Sequence, residues 1–150
     1  MSVKKLNLGC GLDLRDGWIN HDKVKHNKHV HKAHDLNVLP WPWGPNTIDH
    51  IDAMSVFEHL EMDLITTLNE CWRILKPKGT LSIKFPIFTS PFIHHDPTHR
   101  WFWADTVVDF VDPTTEYGKK ARYYTEYKWE IRGKKTSERN CWIAMRPIGK

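Results

Sequence analysis

Lys5-Leu6-Asn7-Leu8-Gly9-Cys10-Gly11 is the stretch on which the reading of this chain turns. An apolar run with β propensity ends abruptly in Gly-x-Gly. Such a run reads as the first buried strand of a parallel sheet, with the glycines as the tight turn at its carboxyl end. Glycine belongs there when a ligand approaches the backbone closely or when φ is positive. In open α/β sheets the ligand crevice lies at the carboxyl ends of the strands. The next apolar run, Gly17-Trp18-Ile19-Asn20-His21-Asp22, ends in a carboxylate placed to accept hydrogen bonds from a ribose diol.

Two kinds of nucleoside cofactor fit a Gly-x-Gly followed by such an acid. A dinucleotide wants Gly-x-Gly-x-x-Gly opening a helix, with the pyrophosphate on the helix N-terminus. Here Leu14 stands at the third glycine position, and no helix of ordinary length fits between Gly11 and Gly17. A ligand without phosphate is therefore expected. S-adenosylmethionine, an adenine, a ribose and an amino acid joined through a sulfonium, meets that description. A nucleotide-binding oxidoreductase is the disfavoured alternative.

The remaining chain reads in order. Residues 23–34 are polar and basic, a surface connection into a short third strand ending at Asp35-Leu36. Pro40-Trp41-Pro42-Trp43-Gly44-Pro45-Asn46 is a turn-rich loop, since its prolines exclude helix and central strand. Residues 47–54 read as the fourth strand. Leu60, Leu64, Leu68, Trp72 and Leu75 recur at helical spacing, with Asp63 placed to cap that helix. Lys76-Pro77-Lys78-Gly79 reads as a turn before a fifth strand over 80–86. Residues 104–111 read as a short helix and 112–122 as a loop. Alternation at Tyr127, Trp129, Ile131 and at Cys141, Ile143, Met145 predicts an antiparallel hairpin, with its turn at residues 132–135.

Composition sets outer bounds. The 150 residues suit one domain over 1–150, with 27% charged and 40% hydrophobic residues. No apolar run approaches a membrane span, and residues 1–5 do not resemble a signal peptide. Three cysteines without metal-type spacing read as free thiols, which points to a cytoplasmic location. The net charge of +4 permits an anionic partner without indicating nucleic acid. His26, His29, His31 and His34 invite a metal reading, but no carboxylate or thiolate completes a known spacing, so no metal is expected.

The order of strand, glycine loop, strand, acid, helix, strand and hairpin resembles small class I S-adenosylmethionine-dependent methyltransferases. The narrower likeness is to a type 11-like group carrying Leu-Asn-Leu-Gly-Cys-Gly closely followed by Gly-Trp-Ile-Asn-x-Asp. It continues through His34-Asp35-Leu36, Phe57-Glu58-His59-Leu60 and Glu70-Cys71-Trp72-Arg73-Ile74-Leu75-Lys76-Pro77. The resemblance implies an α/β, Rossmann-like sheet, mostly parallel, with a C-terminal antiparallel hairpin and minimal helix between the first two strands.

By that resemblance Leu8, Gly9, Cys10 and Gly11 would wrap the methionine moiety. Asp22, with Lys23 beside it, would hold the ribose, and Asp35 the adenine amino group with Leu36 on the ring. Met54 and Ser55 would floor the cofactor and face the acceptor. A non-catalytic module binding S-adenosylmethionine or S-adenosylhomocysteine is the other alternative.

Methyl transfer needs alignment of acceptor, methyl and sulfur, and a base where the acceptor carries a proton. His59, His95 and His99 are the candidate bases, the last two within an aromatic segment, 85–103, expected to wall the acceptor pocket. Ala53-Met54-Ser55-Val56 stands where amino-methylating DNA enzymes carry their Pro-Pro motif, and no Pro-Cys nucleophile is present. The acceptor class left open is a small molecule, a sugar-like or lipid-linked group, or a protein side chain.

Overall fold

The computed structural model describes residues 2–150. Seven strands form one sheet: β1 (Lys5–Leu8), β2 (Ile19–Asp22), β3 (Lys32–Ala33), β4 (Ile48–Met54), β5 (Leu75–Pro86), β6 (Lys128–Thr136) and β7 (Asn140–Ile148). Their order across the sheet is β3-β2-β1-β4-β5-β7-β6. The first five run parallel, and β7 pairs antiparallel with both β5 and β6. Connections reverse at β1, so the crevice between diverging loops opens at the carboxyl ends of β1 and β4. Leu6, Leu8, Ile51, Ala53, Leu81 and Ile83 are buried there, as central parallel strands require.

The helix α1 (Leu64–Ile74) covers the sheet with Leu64, Leu68, Cys71 and Ile74. Asp63 caps it, its Oδ1 accepting from the Thr66 N–H at 2.8 Å. Leu60 lies outside this helix, after a 3₁₀ turn over Phe57–His59. The chain passes from α1 straight into β5. The expected turn survives inside the ladder: Leu75 pairs with Ile48 and Thr80 with His50, so residues 76–79 bulge opposite Asp49, whose carboxylate takes the Lys76 ammonium at 2.8 Å.

Three local expectations are corrected. Residues 104–111 form turns with a 3₁₀ element only at Asp109–Val111, because Thr106, Val107 and Val108 carry β-branched side chains that resist helix. A short helix, α2 (Glu116–Lys120), instead begins at Thr115, whose hydroxyl accepts from the Gly118 N–H. The hairpin turn falls at residues 137–139, where the Ser137 hydroxyl accepts from the Asn140 N–H; Gly133 sits at a register shift within β6.

Between β1 and β2 the chain makes turns where most α/β folds place a helix. Two buried asparagines replace it. Asn7 donates to the Asp13 carbonyl at 2.7 Å and to Asn20 Oδ1 at 3.1 Å. Asn20 Oδ1 accepts from the Arg15 N–H, and its amide donates to the Arg15 carbonyl. Arg15 reaches on to Asp52 of β4 at 2.5 Å. The loop is thus tied at its backbone and at its tip, which fixes Gly9–Gly11 over the crevice.

Candidate functional site

Gly9 and Gly11 both have positive φ, +57° and +51°. Gly9 is constrained twice, since a Cβ there would lie 2.7 Å from Val56 Cγ2. The Gly9 N–H donates to His21 Nδ1 at 3.2 Å, and His21 Nε2 lies 2.8 Å from the His34 carbonyl. A carbonyl only accepts, so His21 carries its proton on Nε2 and is neutral. Burial pushes the His21 imidazole below its ordinary pKa. This histidine joins the glycine loop to the chain after β3, and protonation would break the Gly9 bond.

That arrangement has a pH consequence. Unfolded, His21 titrates near 6.5; folded, it titrates lower. The unfolded chain therefore binds more protons between the two values. Its contribution is complete above about pH 6.5 and is lost as pH falls from there toward the folded pKa. Denaturant midpoints measured from pH 8 to pH 5 should decline, and His21→Asn, whose Oδ1 replaces Nδ1 as acceptor, should decline less steeply. Equal slopes would show that His21 is not the titrating group.

Asp22 turns into the loop. Its Oδ2 accepts from the Gly11 N–H and its Oδ1 from the Lys23 N–H, both at 2.7 Å. Each oxygen keeps a further lone pair, so the carboxylate can still accept from two neighbouring hydroxyls. Asp35 is held by the Asn37 N–H at 2.9 Å and by Lys23 Nζ at 3.3 Å. The first of these contacts is the main reason its pKa lies below the ordinary value. Asn37 Oδ1 accepts from the Glu61 N–H, and Trp41 Nε1 donates to the Leu36 carbonyl while its backbone N–H donates to Glu70. The segment carrying Asp35 and Leu36 is therefore anchored on both sides.

These residues meet around a cleft of about 270 Å³ lined by Gly9, Asp22, Lys23, Asp35, Leu36 and Ser55. Six of the ten residues expected at the cofactor are thus together. Leu8 and Cys10 are buried behind the loop, with the Cys10 thiol pushed up mainly by burial. Gly11 acts through its bond to Asp22. Met54 departs from expectation: it lines a separate hollow with Ser82, Lys134 and Trp142, because successive residues of a strand point to opposite faces. Ser55 turns the chain back with φ +58°, a sparsely populated region for a residue with a Cβ. The cleft also takes His21, His34, Asn37, Val56, His59 and Leu60. Of these, His59 was expected as a candidate base, and His34 and Leu60 stand in the quoted motifs; the advance signal for His21, Asn37 and Val56 was adjacency to the expected residues.

The candidate bases separate. His95 is exposed and packs against Phe92, away from the cleft. His99 is half-buried beyond the 57–59 turn. His59 reaches the cleft and also a second hollow shared with Lys23, Thr98, His99 and Arg100. The aromatic segment does not wall the cleft: Phe85 and Trp103 enter the core, while Phe88, Phe92 and Phe102 face outward. Glu58 is 1% exposed, and neither carboxylate oxygen has a hydrogen-bond partner among the described residues. Burial pushes its pKa up to about 7. Of the histidine-rich segment, His26 Nε2 lies 3.6 Å from Asp22, His31 accepts from the Asn20 N–H and His34 contacts the Val38 carbonyl.

Residues 6–83 match a family model described as a methyltransferase domain. No curated protein sequence matches the chain. Among solved structures, it is similar to a SAM-dependent methyltransferase from Archaeoglobus fulgidus, with 16% identity and a TM-score of 0.63 over 96% of this chain and 86% of that one. A SAM-dependent methyltransferase from Aquifex aeolicus gives 12% identity and a TM-score of 0.60 over 97% and 82%. The methyltransferase CalH, solved with SAH, gives 15% identity and a TM-score of 0.57 over 98% of this chain and 52% of that one. At such identities the likeness is one of fold.

Proposed function

The chain belongs to the methyltransferase-domain family, and on that premise we propose that it transfers a methyl group from S-adenosylmethionine to an acceptor seated beyond Ser55. The observation that carries the reading is the pairing of a positive-φ glycine loop with Asp22, which lines the cleft and whose two oxygens each accept one backbone N–H and retain a lone pair. Bound there, S-adenosylmethionine supplies a methyl on a sulfonium, already activated for in-line displacement.

The chain's own residues would then bind and orient. Asp22 accepts from both ribose hydroxyls. Asp35 accepts from the adenine amino group, with Leu36 and Leu60 as apolar walls. Gly9 lets the loop backbone approach the amino-acid portion, where a side chain would obstruct it. Ser55 and His59 stand at the acceptor side. Alignment of this kind supplies much of the acceleration in a displacement that needs little covalent help. The acceptor is a small molecule, a sugar-like group or a protein side chain.

Ligand binding stabilises the folded chain by about 2.7 kcal/mol at a hundred times the dissociation constant. For a chain of this size that is a rise of ~5–10 °C in melting temperature. Scanning with S-adenosylmethionine and with S-adenosylhomocysteine should show it, and no shift at millimolar ligand would sink the cofactor assignment. Transfer of labelled methyl from the bound cofactor to a cell extract then separates an enzyme from a module that only binds.

A further inference from the structure

Glu58, His59 and His99 were not joined by any sequence spacing, yet their ligating atoms lie within 4.8 Å of one another. Glu58 Oε1 is 3.9 Å from His59 Nε2 and 4.0 Å from His99 Nε2. The two rings stand edge to face with centroids 4.6 Å apart.

The tautomers of both rings follow from their other contacts. His99 Nδ1 lies 2.7 Å from the Ile93 carbonyl, which can only accept. The proton of a neutral His99 is therefore on Nδ1, and Nε2 presents a lone pair. His59 Nδ1 lies 2.8 Å from Thr98 Oγ1. The Thr98 hydroxyl gives its own hydrogen to Asp96 Oδ1 at 2.6 Å, so Thr98 accepts from His59 Nδ1–H. The Nε2 of His59 is again a lone pair. With both imidazoles neutral and Glu58 ionised, three acceptors thus converge with no hydrogen among them; Asp96 Oδ2, 3.8 Å from His99 Nε2, adds none, and the buried Glu58 carboxylate has no hydrogen-bond partner among the described residues. A water has only two hydrogens and leaves one of the three unmatched.

We infer that Glu58, His59 and His99 form a binding site for a divalent first-row transition-metal ion. Two imidazoles and one carboxylate are a donor set suited to such ions. Bond lengths of ~2.0–2.2 Å place ligand atoms ~3–3.5 Å apart, so a modest inward rotation of these side chains closes the site. The Ile93 carbonyl and the Asp96–Thr98 pair provide the outer contacts that fix ring orientation at metal sites. Three protein ligands leave coordination positions open, and His59 borders the cleft. The ion would thus sit at the acceptor side and present those positions to water or to an acceptor oxygen. The inference rests on the trio's geometry and not on the methyltransferase reading.

The test uses the full chain stripped with EDTA and titrated with Co²⁺ or Zn²⁺ alone. One equivalent of Co²⁺ should bind with visible absorption bands, and Zn²⁺ should displace it and raise the melting temperature. Glu58→Gln and His99→Ala should abolish saturation. His59→Ala, at a half-exposed position, should do the same without loss of fold. Thr98→Val leaves all three ligands in place but removes the acceptor for His59 Nδ1–H, together with the Thr98 hydroxyl's bond to Asp96, and should weaken binding about 10–100-fold. His26→Ala should bind as wild type does. No stoichiometric Co²⁺ binding would overturn the site. So would binding unaffected by His59→Ala and Thr98→Val, or binding that is lost with His26, which would move the ion to the group of Cys10, Asp22 and His26.

Discussion

Asp22→Ala is expected to lower affinity for S-adenosylhomocysteine at least ~100-fold while the chain stays folded. The substitution removes two hydrogen bonds from ribose hydroxyls to a charged acceptor, each about 1.5–3 kcal/mol, and ~3 kcal/mol already exceeds a hundredfold in affinity. It also frees the N–H groups of Gly11 and Lys23, but both lie beside the open cleft, where water can replace the carboxylate. The fold therefore loses little. Asp22→Asn separates the two roles. Its amide oxygen keeps one acceptor for the loop, while the charge and one of the two ribose acceptors are gone, so its affinity should fall between wild type and alanine. Titration calorimetry on both variants, with circular dichroism as the folding control, decides the matter. An Asp22→Ala affinity within threefold of wild type would mean that the ribose lies elsewhere.

The glycine loop and Asp22 were legible because each answers a local requirement. A buried strand must turn sharply at its end, and a carboxylate after the next strand has few structural reasons to be there. The supports of that site were not legible in the same way. Asn7 and Asn20 are plain polar residues in a sequence, and their mutual bond appears only when β1 and β2 pair with Asn7 opposite Asn20. His21 reads as one more histidine until its Nδ1 meets the Gly9 N–H. Glu58 and His59 are separated from His99 by residues 60–98, a span of helix, strand and loop, so no spacing rule joins them.

Two glycines have tertiary reasons. Gly118 lies in the stretch expected as a loop, yet it permits α2: a Cβ there would fall 1.8 Å from the Asp112 carbonyl oxygen. Gly133 looks like the centre of a hairpin turn, but both strands continue past it, and Ser137 makes the turn instead. In both cases the residue records what lies against the backbone, which local sequence does not carry.

The same logic makes Gly9→Ala the most informative change in the loop. Two costs add. A residue with a Cβ held at φ +57° loses ~1–2 kcal/mol. The new methyl also meets Val56 Cγ2 at 2.7 Å and Cγ1 at 3.0 Å, and Val56 is 8% exposed with a stiff χ1. Overpacking of that kind costs about 1–3 kcal/mol. The melting temperature should fall by about 4–20 °C, and cofactor affinity should fall with it, because both Gly9 and Val56 line the cleft. Val56→Ala in the same chain removes the opposing methyls but leaves φ unchanged. The double variant should therefore be more stable than the two single losses predict, by about 1–3 kcal/mol of coupling between touching residues, with the φ cost remaining. Denaturant unfolding of the four chains measures this coupling. Strict additivity would mean that Val56 does not face Gly9. A Gly9→Ala chain as stable as wild type would mean that the loop leaves β1 in another conformation, and the cleft built on it would have to be redrawn.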